Sequence, residues 1–244
     1  MQRSKFMNIA HRGASAYAPE NTFSSFDKAL SLGVDEVELD VHFTSDGHIV
    51  VIHDDLVDRT TSGSGPVTGH TLEQLKALDA GSWFGPQYAG EPIRSLGEVL
   101  ERYKDRLYFH LEIKGCRAGL TERTVDLVRG YGLSGSVTIT SFDKTRLKEV
   151  RAYAPQLPAG WLVGECDDAV LDQAEVLGLS MLCPRADLVT PDLVTRLRSR
   201  GFVIRAWGVA TEELMRSVVD AGADGMTINF PDKLTAYLKS GQSG

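Results

Sequence analysis

The sequence contains little cysteine: Cys116, Cys166 and Cys183 are the only three in a chain of 244 residues. An odd number of cysteines without a C-x-x-C pair argues against a disulfide framework and against a thiolate zinc site. We therefore expect these residues to be free thiols, buried in the fold.

Long apolar runs are also missing. No window approaches the roughly 18 apolar residues that a membrane-spanning helix needs. The opening residues, MQRSKFMNIAHRG, include basic side chains but lack the apolar stretch of a secretory signal peptide. The sequence thus predicts no stable membrane insertion, and we expect a cytoplasmic protein, although a processed precursor would have lost its signal peptide.

Basic residues are fewer than acidic ones: the chain has 26 Lys and Arg residues against 33 Asp and Glu residues, which gives a net charge of −7 at pH 7. Proteins that bind the phosphate backbone of nucleic acids need a basic surface, so we expect no nucleic-acid partner. Any phosphate that this chain recognises must be bound by a few local cations.

What the sequence does contain is a repeated alternation of strand and helix patterns. From residue 107 onward, short β-branched runs alternate with segments of helical period that begin at capping residues and end at glycines. The predicted strands are LYFHLEI, SVTITS, PAGWLV, LSMLCP, FVIRAW and ADGMTI, and the predicted helices span 119–131, 143–153, 167–177, 190–200, 211–221 and 231–239.

The amino-terminal part adds two strands, MNIA and VDEVELDV, on either side of the amphipathic helix NTFSSFDKALSLG. Eight parallel strands, each followed by a helix, predict an α/β fold of the (β/α)₈ or TIM-barrel type. The run HIVVIHD follows VDEVELDV after a connection too short for a parallel crossover. We expect it to be the return arm of a hairpin.

Residues 55–94 interrupt the barrel pattern. They are rich in turn-forming residues and contain few helix signals before the helix SLGEVLERYK, which predicts a small loop-rich insertion in the second βα unit. Such insertions lie on the carboxy-terminal face of a barrel, over its site. We expect residues 1–244 to form one TIM-barrel domain.

Acidic residues occur on two neighbouring predicted strands. Glu38 and Asp40 share one face of the second strand, and Glu112 shares a face with Lys114 on the third. Carboxylates that converge in a dry pocket repel one another unless a cation binds, and oxygen ligands suit Mg²⁺ or Ca²⁺. The alternative is that these residues are solvated or form surface ion pairs, which is the commoner role of an isolated E-x-D pair.

Two histidines and two cations accompany the acidic residues. His11 and Arg12 follow the first strand directly, next to Gly13, which permits a sharp turn, and His53 ends the hairpin. One imidazole could take a proton from a nucleophile while the other protonates a leaving alkoxide. Arg12 and Lys114 would stabilise transition-state charge, so the set suits phosphodiester cleavage. A single histidine is more often structural or solvated.

The remaining candidates have weaker support. Trp207 ends the seventh strand, where it could pack against an apolar part of a substrate, although a core or rim position is equally common. His110 shares the interior face with Glu112, and we expect it to be a hydrogen-bonded interior residue. No chemistry is assigned to three further histidines expected in or near turns, His42, His48 and His70.

The motifs together resemble the glycerophosphodiester phosphodiesterase family. The matching elements run from residue 10 to residue 234 in the family's order: H-R-G at 11–13, E-x-D at 38–40, H-D at 53–54 and E-I-K at 112–114, with the longer segments AHRGASAYAPENTFSSFDKAL and GADGMTINFPDKL. The family is a (β/α)₈ barrel with a small insertion in its second unit, which agrees with the count of strands.

The resemblance implies a role for each candidate residue and a reaction. Family members hydrolyse glycerophosphodiesters to an alcohol and glycerol 3-phosphate with Mg²⁺ or Ca²⁺. It leaves open the headgroup, the choice of acid and base, and whether a cyclic phosphate forms before water attacks. The implied roles are the acid and base pair for His11 and His53, metal ligation for Glu38, Asp40 and Glu112, phosphate contact for Arg12 and Lys114, and substrate lining for Trp207.

Two other functions are compatible with the same fold. A phospholipase of related barrel form would need access to a membrane or micelle, and the sequence shows no basic amphipathic helix for that purpose. A binding or scaffold protein could use the barrel without catalysis, but the motifs of the resemblance are intact. We therefore expect a metal-dependent phosphodiesterase with a small-molecule substrate.

Overall fold

The structure is a computed structural model that describes residues 6–241, and nine strands lie within this range. Each predicted strand is found within a residue or two of its expected position, except that the run HIVVIHD forms a strand only over Ile49–Val51. The strands are β1 (Met7–His11), β2 (Glu36–Phe43), β3 (Ile49–Val51), β4 (Tyr108–Ile113), β5 (Val137–Ser141), β6 (Ala159–Val163), β7 (Met181–Pro184), β8 (Val203–Val209) and β9 (Gly225–Ile228).

Strand pairing closes a barrel and confirms the TIM-barrel prediction. Eight parallel strands pair in the order β1-β9-β8-β7-β6-β5-β4-β2, and β2 also pairs with β1 to complete the ring. The ninth strand, β3, runs antiparallel to β2 and forms the predicted hairpin. All carboxyl ends of the parallel strands therefore meet at one face, where the active sites of such barrels lie.

Helices between the strands cover the outside of the barrel, and side-chain caps explain where most of them begin. Thr22, Asp143, Thr190 and Thr211 each accept a hydrogen bond from a backbone N–H in the first turn of the following helix. The α-helices are α1 (Phe23–Ser31), α2 (Leu72–Lys76), α3 (Leu96–Tyr103), α4 (Leu120–Gly130), α5 (Lys144–Tyr153), α6 (Asp168–Val176), α7 (Pro191–Ser199), α8 (Glu212–Asp220) and α9 (Pro231–Ser240).

The β2–β3 hairpin turns at Ser45 to Gly47, as the sequence predicts. Gly47 has φ = +80°, a conformation that glycine adopts without strain. Phe43 is aligned with Ile49 across the hairpin. Thr44 donates its N–H to the carbonyl of His48 at 2.9 Å, so these two residues close the turn.

The insertion after β3 is more ordered than its composition suggests. Its apolar side chains pack with those of β3 in a small core of their own, formed by Val50, Ile52, Val57, Val67, Leu75, Ala80 and Ile93. It also contains the short helix α2, which sequence analysis missed although Thr71 and Gln74 form a capping box there. The insertion is therefore a packed lobe over the carboxy-terminal face.

The barrel interior is divided into an apolar and a polar side. Met7, Ile9, Leu162, Met181 and Cys183 form one buried apolar cluster. The interior of β2 and β4 instead carries four buried polar side chains, Glu38, Asp40, His110 and Glu112. Because polar groups are costly to bury without partners, this side of the barrel is the candidate for a functional site.

Two further expectations can be compared with the structure. All three cysteines are free thiols, as predicted, but only Cys183 is buried, because Cys166 is half-buried and Cys116 is exposed in the loop after β4. Within residues 6–241, no helix has the length and apolar character needed to cross a bilayer.

Candidate active site

Seven of the eight predicted site residues line a single cavity of about 210 Å³ near the carboxyl ends of the strands. They are His11, Arg12, Glu38, His53, Glu112, Lys114 and Trp207. The eighth, Asp40, is fully buried between them. A larger cavity of about 900 Å³ lies at the opposite end of the barrel, near the start of β2 and β4, and none of the eight residues lines it.

The three acidic residues form a buried cluster. Strand register aligns Asp40 with Glu112, and Glu38 lies two residues earlier on the same face of β2. Each residue contributes one carboxylate oxygen to a group of three that lie within 4.8 Å of one another. At this spacing the three oxygens could hold one metal ion.

The carboxylates are under electrostatic stress without a cation between them. Burial, together with repulsion from Asp40 and Glu112, raises the pKa of Glu38 well above its ordinary value. Burial and repulsion from Asp40 likewise raise the pKa of Glu112. Among the described residues, Glu38 Oε1 and Asp40 Oδ1 have no hydrogen-bond partner. A hard dication with oxygen ligands fits these atoms and would remove the repulsion.

Arg12 and Lys114 approach the acidic cluster from two strands. Arg12 Nε lies 3.3 Å from Asp40 Oδ2, and its Nη1 donates to Glu20 Oε1 at 2.9 Å. Lys114 Nζ lies 2.9 Å from Glu112 Oε1 and 3.9 Å from Asp40 Oδ1. Burial acts to lower the pKa of Lys114, but the carboxylates of Glu112 and Asp40 outweigh it and raise that pKa. Both cations therefore stay charged beside the cavity.

The turn after β1 fixes the position of Arg12. Gly13 has φ = +81°, and a Cβ on it would lie 2.4 Å from Ser25 Oγ, so only glycine fits. Ser25 Oγ donates to the carbonyl of Arg12 at 2.8 Å, and Asn21 N–H donates to the same carbonyl at 2.9 Å. Asn21 also donates from Nδ2 to Asp40 Oδ2 at 3.0 Å, which links this turn to the acidic cluster.

His11 is held by an amide from the last barrel strand. Its Nδ1–H donates to Asn229 Oδ1 at 2.6 Å, and its Nε2 lies 3.9 Å from Glu38 Oε2. Burial and the neighbouring Arg12 guanidinium lower the pKa of His11 to about 4. The ring is therefore neutral at pH 7 and can accept a proton at Nε2.

His53 is held by a carboxylate instead. Its Nδ1–H donates to Asp54 Oδ1 at 2.6 Å. Hydrogen bonds from Arg59, and a further one from His53, keep the pKa of Asp54 below its ordinary value. Arg59 also donates to both carboxylate oxygens of Glu20, which ties the insertion to the β1–α1 turn. This arrangement fixes the orientation of the His53 ring and leaves its Nε2 as the nitrogen that Asp54 does not hold.

His42 lies near the hairpin turn, as expected, but it is buried within β2. Its Nε2 donates to the carbonyl of His53 at 3.1 Å, so it fixes the backbone that carries His53. His110 meets its expectation, because it is fully buried and its Nε2 donates to Glu36 Oε2 at 3.0 Å.

Trp207 forms one wall of the cavity. Its ring packs edge-to-face against Phe142, with the centroids 4.9 Å apart, and its Nε1 donates to the carbonyl of Val163 at 3.1 Å. Phe142 itself is 44% exposed and lines the same cavity. These two rings give the cavity an apolar wall, and Lys114 Nζ lies 5.5 Å from the centre of the Phe142 ring.

Six further polar residues of the site were not among the predicted site residues: Glu20, Asn21, Asp54, Arg59, Arg205 and Asn229. The sequence positions of several of them nevertheless indicate the correct face of the barrel. Asn229 follows β9 directly, and Glu20 and Asn21 lie in the turn after β1, so each is at the carboxy-terminal face. Arg205 precedes Trp207 by two residues on β8 and therefore shares its face.

A comparison of the sequence with known families gives one decisive match. Residues 11–233 match the glycerophosphoryl diester phosphodiesterase family. The chain belongs to this family. It is 38% identical to the glycerophosphodiester phosphodiesterase of Caldanaerobacter subterraneus subsp. tengcongensis, over 97% of this chain and 99% of that protein. A glycerophosphodiester phosphodiesterase of Bacillus subtilis is 33% identical over 93% of this chain and 85% of its own length.

Solved structures of the glycerophosphodiester phosphodiesterase family have the same fold. An Oleispira antarctica phosphodiesterase in complex with the product sn-glycerol-3-phosphate superimposes with a TM-score of 0.89 at 30% identity, covering 95% of this chain and 96% of that one. A glycerophosphodiester phosphodiesterase from Agrobacterium tumefaciens gives a TM-score of 0.84 at 29% identity, with 93% and 98% covered. The chain is thus an enzyme of this family on a TIM barrel.

Proposed function

We propose that the chain is a metal-dependent phosphodiesterase that hydrolyses glycerophosphodiesters to an alcohol and glycerol 3-phosphate. The observation that carries the proposal is one cavity in which a buried cluster of three carboxylates adjoins two histidines and two cations. Family membership supports the reaction, and the product bound to the Oleispira antarctica relative supports the substrate class.

Glu38, Asp40 and Glu112 would hold one divalent ion. Their oxygens suit Mg²⁺ or Ca²⁺, which prefer carboxylate and water ligands. A bound ion would supply charge neutralisation at the carboxylates and polarise a phosphoryl oxygen of the substrate. Arg12 and Lys114, whose head groups adjoin the cluster, would stabilise the negative charge that grows on the phosphoryl group.

His11 and His53 would move the protons. Because Asn229 holds Nδ1–H of His11 and Asp54 holds that of His53, Nε2 is the nitrogen of each ring that exchanges a proton. One ring takes the proton of the nucleophile, and the other gives a proton to the leaving alkoxide. The nucleophile is either water or a hydroxyl of the glycerol moiety.

Trp207 and Phe142 would contact the least polar part of the diester. Their edge-to-face pair forms an apolar wall of the cavity, beside Lys114. This arrangement would orient the substrate, with the phosphate toward the cations and carbon-bound hydrogens against the rings.

Metal removal and replacement test the proposal. After chelation, we expect release of glycerol 3-phosphate from glycerophosphocholine and glycerophosphoethanolamine to fall at least about 100-fold, because neutralisation and polarisation are lost. Adding back Mg²⁺, Ca²⁺ or Mn²⁺ singly should restore it with at least one ion. An enzyme-coupled assay for glycerol 3-phosphate makes the measurement.

Three results would contradict the proposal. Full activity in excess chelator would exclude the metal requirement. Release of free glycerol and a phosphorylated headgroup would mean that the other ester bond is cleaved. Faster turnover of lysophosphatidylcholine than of glycerophosphocholine would favour a phospholipase instead.

A further inference from the structure

Arg205 is the most deeply buried cation of the barrel interior. Only 1% of the residue is exposed, yet it lines the same cavity as the two histidines. Strand alternation places it on the inward face of β8, two residues before Trp207. A charged side chain at such a depth is expensive unless it meets an acceptor.

The partners of Arg205 within residues 6–241 do not satisfy it. Neither Nε nor Nη1 has a hydrogen-bond partner there. The guanidinium does contact the Cys183 thiol, which is a weak acceptor. Its charge also acts on Glu38 and Glu112, and it opposes the rise in pKa of both. Two guanidinium nitrogens thus lack an acceptor in a side chain that lines the cavity.

The other two cations of the site have carboxylates close to them. Arg12 Nη1 donates to Glu20, and its Nε makes no hydrogen bond but lies 3.3 Å from Asp40 Oδ2. Lys114 Nζ lies 2.9 Å from Glu112 Oε1. A dication bound by the carboxylates would also cancel the negative field that now acts on Arg205. In the loaded enzyme, Arg205 would then need another anion close to its unused donors.

We propose that Arg205 is a substrate-binding residue whose guanidinium donates to an anionic phosphoryl oxygen of the diester and of its product. This inference rests on the proposed function, which supplies the phosphoryl group. The guanidinium suits such an acceptor, because its charged N–H donors form short and strong hydrogen bonds to phosphate oxygens. A glycerol hydroxyl would satisfy one donor but would leave the charge without a counterion.

Direct binding measurements test the inference without relying on turnover. The full chain is saturated with Mn²⁺, after the Mn²⁺ affinity of each variant has been measured by electron paramagnetic resonance. It is then titrated calorimetrically with sn-glycerol 3-phosphate and with inorganic phosphate. For Arg205→Met, we expect the Kd of both probes to rise about 10- to 100-fold, since hydrogen bonds to a charged group are lost.

Two further variants complete the design. Arg205→Lys keeps the charge but not the planar set of guanidinium donors, so its Kd values should lie between those of the wild type and Arg205→Met. It also serves if the methionine variant does not fold. Arg94→Met is the matched control, because Arg94 likewise has a buried Nε without a hydrogen-bond partner among the described residues but lies outside the cavity. Its Kd values should equal those of the wild type.

Each other outcome would overturn the inference in a different way. Weaker binding of sn-glycerol 3-phosphate with unchanged binding of phosphate would assign Arg205 to a glycerol hydroxyl. Unchanged Kd values with a lower urea midpoint would make it a structural counter-charge to Glu38 and Glu112. Failure of the Mn²⁺-loaded wild type to bind either probe would instead remove the proposed function itself.

Discussion

Replacing Asp40 with asparagine is expected to weaken Mn²⁺ binding by at least about 100-fold and to abolish measurable diester hydrolysis. Asp40 is fully buried, and its Oδ1 has no hydrogen-bond partner among residues 6–241, so this oxygen is available to a metal. Asparagine has the same size but removes the negative charge. Electron paramagnetic resonance of free Mn²⁺ and a glycerol 3-phosphate assay measure the two effects.

A matched control separates ligand loss from loss of charge. Asp192 is an exposed carboxylate in the first turn of α7, and Asp192→Asn removes the same charge away from the cavity. We expect it to bind Mn²⁺ with wild-type affinity. Unchanged Mn²⁺ affinity in Asp40→Asn, with the circular dichroism spectrum preserved, would show that the acidic cluster does not hold the metal.

Replacing His53 with glutamine is expected to lower kcat for glycerophosphocholine by about 10²–10⁴-fold, the usual contribution of a general acid or base. Metal binding should be unaffected, because the proposed metal ligands are Glu38, Asp40 and Glu112, and His53 is not among them. Steady-state kinetics at saturating metal measure the loss. His48→Gln is the control, since His48 is exposed at the hairpin turn, and it should keep wild-type kcat.

Comparison with His11→Gln extends this prediction to the pair. A diester with an aryl leaving group, such as p-nitrophenolate, needs no general acid, because the leaving group departs as a stable anion. The variant that lacks the acid should therefore regain most of its activity with this substrate, and the variant that lacks the base should not. Recovery of both variants, or of neither, would contradict a mechanism that divides the two roles between these histidines.

The barrel could be predicted from the sequence because its local signals agree with one another. Strand runs alternate with capped helices, and the carboxyl ends of parallel strands meet at one face. That geometry alone brings His11, Glu38 and Glu112 together, although they are far apart in the chain. The acidic cluster followed from strand alternation, since Glu38 and Asp40 differ by two positions on β2.

The parts that escaped prediction depend on contacts between distant segments. His42 lies near the hairpin turn as expected, but its hydrogen bond to the carbonyl of His53, 11 positions away, follows only from the folded hairpin. Asn229 acts through a hydrogen bond to His11 across 218 positions of sequence. No periodicity encodes such a pairing, although the position of Asn229 directly after a barrel strand indicates the correct face.

Short segments in the insertion were also hard to predict. The five-residue helix α2 is too short to show a helical period, and its stability comes from its caps and from Leu75, which packs in the small core of the insertion. Arg59 illustrates the same limit. Its ion pairs with Asp54 and Glu20 join the insertion to the barrel, and they follow only from the folded arrangement.

The central claim is that three buried carboxylates hold one dication beside two imidazoles. The most direct test is an anomalous difference map from crystals of the chain grown with Mn²⁺. We predict a single strong peak about 2.0–2.6 Å from an oxygen of each of Glu38, Asp40 and Glu112. A peak bound elsewhere, or no peak at a saturating concentration of Mn²⁺, would contradict it.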